Sequence, residues 1–224
     1  MRPRLKSYVG IPPLQRIGRP IDLASEARKA RRRLYPVSLL YSSYAFAVVT
    51  LALAGSHAPL VVAAFFVLGV LAWTLVEYLA HRFVLHGRFE DGPGWVQRLA
   101  HRAFDHLHVE HHARPWDGNH VNGTLKDTGV YMALFGALSF LAPLPTLPVL
   151  WAAVMQSYVV EEWIHHGVHY ASVYRLRGPY WRSIVRHHAF HHGARGTDVA
   201  FGLSSGAWDV VFGTRMRGVP SRLT

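Results

Sequence analysis

The chain has 224 residues, the length of one domain at roughly 100–200 residues per domain. Half of it is hydrophobic, 17% is charged, it has no cysteine, and 24 Lys+Arg against 13 Asp+Glu leave a net charge of +11. Zero cysteine excludes a disulfide scaffold, a thiolate zinc site and a cysteine nucleophile, and a chain so poor in charge lacks the soluble basic surface that nucleic-acid binding needs.

Residues 1–36 form a basic arm that ends in Arg28-Lys29-Ala30-Arg31-Arg32-Arg33. Two apolar runs follow, 37–54 without a charge and 60–80 with only Glu77 near its end. About 20 apolar residues cross a bilayer as a helix, so both are expected to span, joined by the short turn Gly55-Ser56-His57-Ala58-Pro59. A second pair is expected over 128–142 and 148–164, separated by Pro143, Pro145 and Pro148, its first arm short enough to lie tilted or shallow. Ten Lys/Arg precede the first run, six lie in 81–127 and eight in 165–224, which accounts for all 24. Two hairpins place these three basic regions on one side, and the positive-inside rule makes that side, with both termini, cytoplasmic. The expected fold is all-α and integral to the membrane: four transmembrane helices as two hairpins, a single domain over 37–224, under a cytoplasmic helical cap that carries a histidine-rich dinuclear metal site.

Histidine is the anomaly. Fifteen of the sixteen lie between His81 and His192, and the remaining one, His57, falls in the opposite turn. They form four groups: His81 with His86; His108, His111 and His112; His165, His166 and His169; and His188, His191 and His192 after His187. On a helix, positions i, i+3 and i+4 share an arc, so each HxxHH is expected to aim all three rings at one small volume. His81 and His86 lie about 140° apart on an α-helix, so they straddle a site or sit where the helix loosens. Ten imidazoles suffice for two metal ions with a position left for a small ligand. Neutral nitrogen donors suit iron, copper, zinc or nickel and leave the metal electrophilic, which favours O₂ chemistry over a closed structural zinc. Glu77, Asp105 and Glu161 stand three or four residues before a histidine, where each is expected to accept the second ring N–H of a ligand.

The four groups in this order resemble the fatty acid hydroxylase/sterol desaturase superfamily of membrane di-iron enzymes. The resemblance runs from about Leu75 to Thr214 and is carried by Glu77-Tyr-Leu-Ala-His81-Arg-Phe-Val-Leu-His86 and by His108-Val-Glu-His111-His112 with Pro115 and Asp117. It continues in His188-Ala-Phe-His191-His192, Ala200-Phe-Gly-Leu-Ser204 and Trp208-Asp-Val-Val-Phe-Gly-Thr214, which look most like the fatty acid 2-hydroxylase branch. The resemblance implies His81, His86, His108, His111, His112, His165, His169, His188, His191 and His192 as metal ligands, with His166 and His187 as neighbours able to replace or hydrogen-bond them. His101, His106 and His120 match nothing in the pattern. It further implies two iron ions, for which zinc can substitute, O₂ as co-substrate and a lipid drawn from the bilayer. No stretch of this sequence reads as a fused cytochrome b5 domain, so electrons are expected from a separate cytochrome b5- or ferredoxin-like protein.

The expected reaction is hydroxylation of an unactivated C–H bond of a fatty acyl chain, with the lipid head held at the basic rim by Asn119, Asn122, Lys126, Tyr170 and Arg177. Sterol desaturation or C-4 oxidation and carotenoid ring hydroxylation use the same histidine scheme. A non-catalytic metal transporter would carry its ligands near the bilayer midplane rather than beyond the span ends. The composition fits a bacterial cytoplasmic membrane, or the endoplasmic reticulum in a eukaryote.

Overall fold

A computed structural model describes residues 21–87, 89, 92–101, 106–193 and 198–216, with the side chains of 106 and 107 excepted. The described residues form helices and connecting turns. In chain order the helices are α1 (Leu23–Gly55), α2 (Pro59–Leu79), a π-helical extension of α2 (Ala80–Leu85), α3 (Trp95–Ala100), α4 (His106–Ala113), α5 (Leu125–Ser139), α6 (Leu147–His169), α7 (Ala171–Tyr174), α8 (Pro179–His191) and α9 (Ala207–Val211).

The first helix starts well before its apolar run. Asp22 caps it by accepting from the Ser25 N–H at 3.1 Å, Glu26 lies in its first turn, and the helix continues through Pro36. The boundary expected at residue 36 therefore falls inside one continuous helix. Its basic first half carries an apolar stripe, Ala27, Ala30 and Leu34, and the two alanines pack on Val121 and Tyr170.

α6 is the axis of the bundle. α1 and α2, although joined by a tight turn, touch each other much less than each touches α6. Val37 and Tyr41 of α1 meet Met155, Tyr158 and Val159 of α6 in one core cluster, and Ala45, Val48, Ala52 and Val62 surround Val149 and Ala152 in a second. Gly69 makes the close approach of α2 possible, because a Cβ there would stand 2.3 Å from the Leu150 carbonyl oxygen and 2.8 Å from Ala153 Cβ. Small residues at such a crossing are the usual way for apolar helices to pack without a hydrophobic driving force between them.

Two helices, Leu23–Gly55 and Pro59–Leu85, are long and apolar enough to cross a membrane. Their outward faces are apolar: Leu39, Phe46, Leu60 and Leu71 are exposed, and Val130 and Leu141 continue the belt around α5. Exposed apolar area on this scale marks a surface made for lipid or a partner. α5 has 15 residues, about 22 Å of helix, which is shorter than the ~30 Å hydrocarbon core. The short helices α4, α7, α8 and α9 gather at the end of the bundle where α2 and α6 terminate, and the first half of α1 packs there as well.

Candidate metal centre

Five side chains from three elements meet in a first cluster: His81 and His86 of the π segment, His108 and His112 of α4, and His191 of α8. A second cluster takes His111 of α4, His165 and His169 of α6, and His188 and His192 of α8. Within each cluster the ligand nitrogens all lie within 4.8 Å of one another.

The π segment accounts for the five-residue spacing. The His86 N–H donates to the His81 carbonyl at 3.0 Å, an i→i+5 bond that widens the turn and brings both rings to one side. Their ring centroids are 5.0 Å apart. The sequence expectation that the helix loosens here describes what is found.

Each HxxHH behaves differently from the expectation of a single target. His108 and His112 serve the first cluster and His111 the second, while His188 and His192 serve the second and His191 the first. Adjacent residues are about 100° apart on a helix, so positions i+3 and i+4 lie on opposite flanks of position i. α4 and α8 thereby each supply both clusters, which come into contact where His112 and His192 stack at 4.3 Å.

The Nε2 atoms converge tightly. His108 Nε2 lies 3.0 Å from those of His81 and His86 and 2.9 Å from that of His112. His188 Nε2 lies 2.8 Å from that of His169 and 3.0 Å from that of His192. One ring proton cannot serve three such contacts. The His81 Nδ1 donates to the Phe201 carbonyl, and the His191 Nδ1 donates to the Val199 carbonyl at 2.9 Å. A carbonyl can only accept, so these rings carry their proton on Nδ1 and turn a bare lone pair inward. Lone pairs facing one another at such separations call for a cation, and ~3 Å is the edge of a ligand shell around an ion about 2.1 Å from each nitrogen. His111 points the same way, since both of its ring nitrogens are buried without a hydrogen-bond partner.

Burial, helped by neighbouring imidazoles, holds the ligand rings neutral. It lowers His86 and His165 to about 3 and His112 to about 2, and it pushes His81, His108, His111, His169, His188 and His192 well below the ordinary histidine value. A metal ion at neutral pH therefore meets no competing proton on these rings. The donor set fits two transition-metal ions, one per cluster.

The acids differ from their expected roles. Glu77 does not reach His81; it accepts from the N–H groups of Leu203 and Ser204 at 2.6 and 2.7 Å and from the Ser204 hydroxyl at 2.6 Å. The i+4 ring has turned toward a backbone carbonyl, leaving Glu77 to hold the loop that carries that carbonyl. Glu161 is buried beside Glu162 and has no described hydrogen bond to His165, and Asp105 lies outside the described residues. His166 meets the Tyr174 hydroxyl at 2.9 Å and His187 lies 3.2 Å from Asp209, so neither enters a cluster. His101 approaches the Phe89 carbonyl at 2.7 Å, and His120 lies 3.7 Å from Asp117.

Two of the expected rim residues are interior. The Asn122 amide donates to the Glu162 carbonyl and carboxylate at 3.0 and 2.8 Å, and fully buried Tyr170 donates to the Trp116 carbonyl at 3.1 Å. The Asn122 side-chain N–H groups and the Tyr170 hydroxyl are thus spent on the scaffold. Asn119, Lys126 and Arg177 are exposed. Asp209, within a motif noted in the sequence but given no role there, is fully buried and accepts from the N–H groups of Phe201 and Gly202.

The fatty acid hydroxylase family model matches residues 66–214, the stretch that holds every one of these ligands. The chain belongs to the fatty acid hydroxylase family. It is 33% identical over 150 residues to a rat fatty acid 2-hydroxylase, covering 66% of this chain and 38% of that one. A dihydroceramide fatty acyl 2-hydroxylase of Arabidopsis thaliana is 32% identical over 147 residues, covering 65% of this chain and 58% of its own. The chain thus spans from over a third to over half the length of these relatives. Among solved structures, full-length scs7p, with only its hydroxylase domain visible, superposes with a TM-score of 0.68 at 26% identity, covering 82% of this chain and 66% of that one.

Proposed function

We propose that this family member is a membrane-bound di-iron hydroxylase of lipid fatty acyl chains, acting at a carbon near the acyl carbonyl as the names of its relatives indicate. The observation that carries this reading is the pair of five-histidine clusters, each built wholly from neutral nitrogen donors. Bound there, two iron ions would supply O₂ activation for insertion of oxygen into an unactivated C–H bond, with electrons from a separate cytochrome b5- or ferredoxin-like donor.

The chain's own residues do the rest. The inward lone pairs of His81 and His191 are fixed by the loop carbonyls, and the remaining rings are oriented by helical spacing. Burial of the cluster side chains keeps bulk water from the reacting carbon. The apolar faces of α1, α2 and α5 offer the acyl chain a path from the bilayer, and exposed Asn119, Lys126 and Arg177 are the remaining contacts for a polar head. In this reading α5 and α6 form a second membrane hairpin, with α5 inserted obliquely, and the metal end of the bundle faces the cytoplasm. The distribution of Lys and Arg over three sequence regions that two hairpins would put on one side supports that sidedness.

The test is expression in a host of defined lipids followed by lipid mass spectrometry. The expected product is an acyl chain with one added oxygen that disappears in His188→Ala. A product lacking two hydrogens would instead make the protein a desaturase, and an unchanged lipid profile would overturn the enzyme reading.

A further inference from the structure

The segment 198–214 closes on itself as a hook. The Ala200 N–H donates to the Thr214 carbonyl at 2.9 Å, with Ala200 at φ +60°. At the centre of the hook, Asp209 Oδ1 accepts from the Phe201 N–H at 2.9 Å and the Thr214 hydroxyl at 2.7 Å. Its Oδ2 accepts from the Gly202 N–H at 2.9 Å and lies 3.2 Å from His187 Nε2. Burial alone would raise the Asp209 carboxyl, but these partners outweigh it and hold the group below its ordinary value. No side chain fits at residue 202, where a Cβ would stand 1.9 Å from the Ser205 carbonyl oxygen and 3.0 Å from Asp209 Oδ2.

The hook is bolted to α2 at Thr74, whose hydroxyl accepts from Trp208 Nε1 at 3.1 Å, and at Glu77 and Tyr78. Glu77 grips Leu203 and Ser204, and the Tyr78 hydroxyl meets the Thr214 hydroxyl at 2.8 Å while accepting from Arg82 at 2.9 Å. The Tyr78 ring also stacks on Phe212, with centroids 5.1 Å apart. Two backbone carbonyls on this hook, those of Val199 and Phe201, receive ligand imidazoles, and both of those imidazoles belong to the first cluster. The second cluster receives one such carbonyl, that of Pro115 at His169, which lies outside the hook, while the Nδ1 atoms of His111, His188 and His192 are buried without a partner.

We propose that Asp209 is a positioning residue that makes the two metal positions unequal: by fixing the hook carbonyls, it preorganises the His81 cluster to hold its ion more tightly than the His111 cluster holds the other. Partners of this outer kind are commonly worth 10- to 100-fold in metal affinity, because they set the tautomer and the ring orientation together. The inference rests on the dinuclear-metal reading above, but its test reads metal rather than activity.

The purified full chain in detergent is loaded with zinc, and release to a chelator is followed in time. The wild type is expected to release two equivalents in two phases. His86→Ala should remove the slow phase and His169→Ala the fast one, which assigns each phase to its cluster. Asp209→Asn keeps one acceptor oxygen and turns an N–H against the Gly202 N–H, so the slow phase should accelerate at least tenfold while the fast phase keeps its rate. Thr214→Val removes only the hydroxyl link and should shift the same phase less, with Thr214→Ser behaving as wild type. These two variants carry the test should Asp209→Asn fail to fold, and circular dichroism reports which have folded. Release of two equivalents in one phase from the wild type, or equal acceleration of both phases in folded Asp209→Asn or Thr214→Val, would overturn the inference and leave the dinuclear reading standing. A wild type that retains no zinc overturns both.

Discussion

In the first histidine cluster, two rings are locked from behind by carbonyls of a loop that closes more than a hundred residues along the chain from His81; in the second, four of the five rings come from α6 and α8 at i,i+4 spacing and three buried Nδ1 atoms have no partner. Both clusters present five imidazoles, so the donor set alone does not separate them. The difference lies in what aims the rings. A helix provides orientation at no extra cost in chain, because i,i+4 neighbours face the same way already. The π segment cannot do so alone: its wide turn brings His81 and His86 to one side but leaves ring rotation and tautomer open, and the hook supplies both. The same donor chemistry is thus built once mainly by helical spacing, with one loop carbonyl at His169, and once by long-range hydrogen bonds from the hook.

The largest effect that sharpens this contrast is expected at Glu77. Glu77→Gln keeps the shape of the side chain but loses an acceptor facing the loop N–H groups and the Ser204 hydroxyl. The His81 cluster should then lose about 10- to 100-fold in metal affinity, with the His111 cluster unchanged. Chelator competition on the zinc-loaded protein measures it, and equal losses at both positions would erase the distinction.

Acid should treat the two clusters alike. The folded chain keeps its ligand imidazoles neutral, with His86 and His165 lowered to about 3, whereas the unfolded chain protonates them near 6.5. The unfolded state therefore binds more protons below that value, so the stability of the metal-free chain is full above about pH 6.5 and falls as the pH drops toward 3. Thermal unfolding across this window should show the loss, and His86→Gln and His165→Gln should each flatten its slope by a similar amount, one from each cluster.

The smallest effect is expected at Ala200, whose left-handed backbone costs a residue with a Cβ about 1–2 kcal/mol. Ala200→Gly removes that cost and adds unfolded-state entropy of comparable size, so the unfolding temperature should barely move. Ala200→Val, with a branched Cβ in the same conformation, should lower it and loosen the first cluster with it.

Side-chain chemistry was readable from the sequence, and backbone chemistry was not. Histidine spacing alone brought ten rings to one end of an all-helical bundle, and the loosened helix at His81–His86 followed from a spacing that an α-helix cannot use. The division of each HxxHH between two clusters was equally implicit in the 100° step, but it needs two facing targets before it can be seen. A backbone carbonyl that receives an imidazole has no residue signature, so spacing points Glu77 at the nearest ring instead of at the loop behind it. Asn122 and Tyr170 read as rim contacts because polar groups near a membrane edge suggest solvent, yet Glu162 and the Trp116 carbonyl claim them inside. The basic stretch before residue 36 read as an arm because charge masked the buried stripe of Ala27, Ala30 and Leu34.

The π segment also acts as a gear between two surfaces. Before it, α2 must keep Leu68, Leu71 and Val76 turned outward while Glu77 and Tyr78 face in. A straight α-helix would carry that phase onward and swing His86 away from His81. One additional residue in the turn resets the rotation, so the lipid-facing stripe and the metal-facing stripe of a single helix are set independently of each other. Sequence drift along the membrane face can then proceed without re-aiming the ligands.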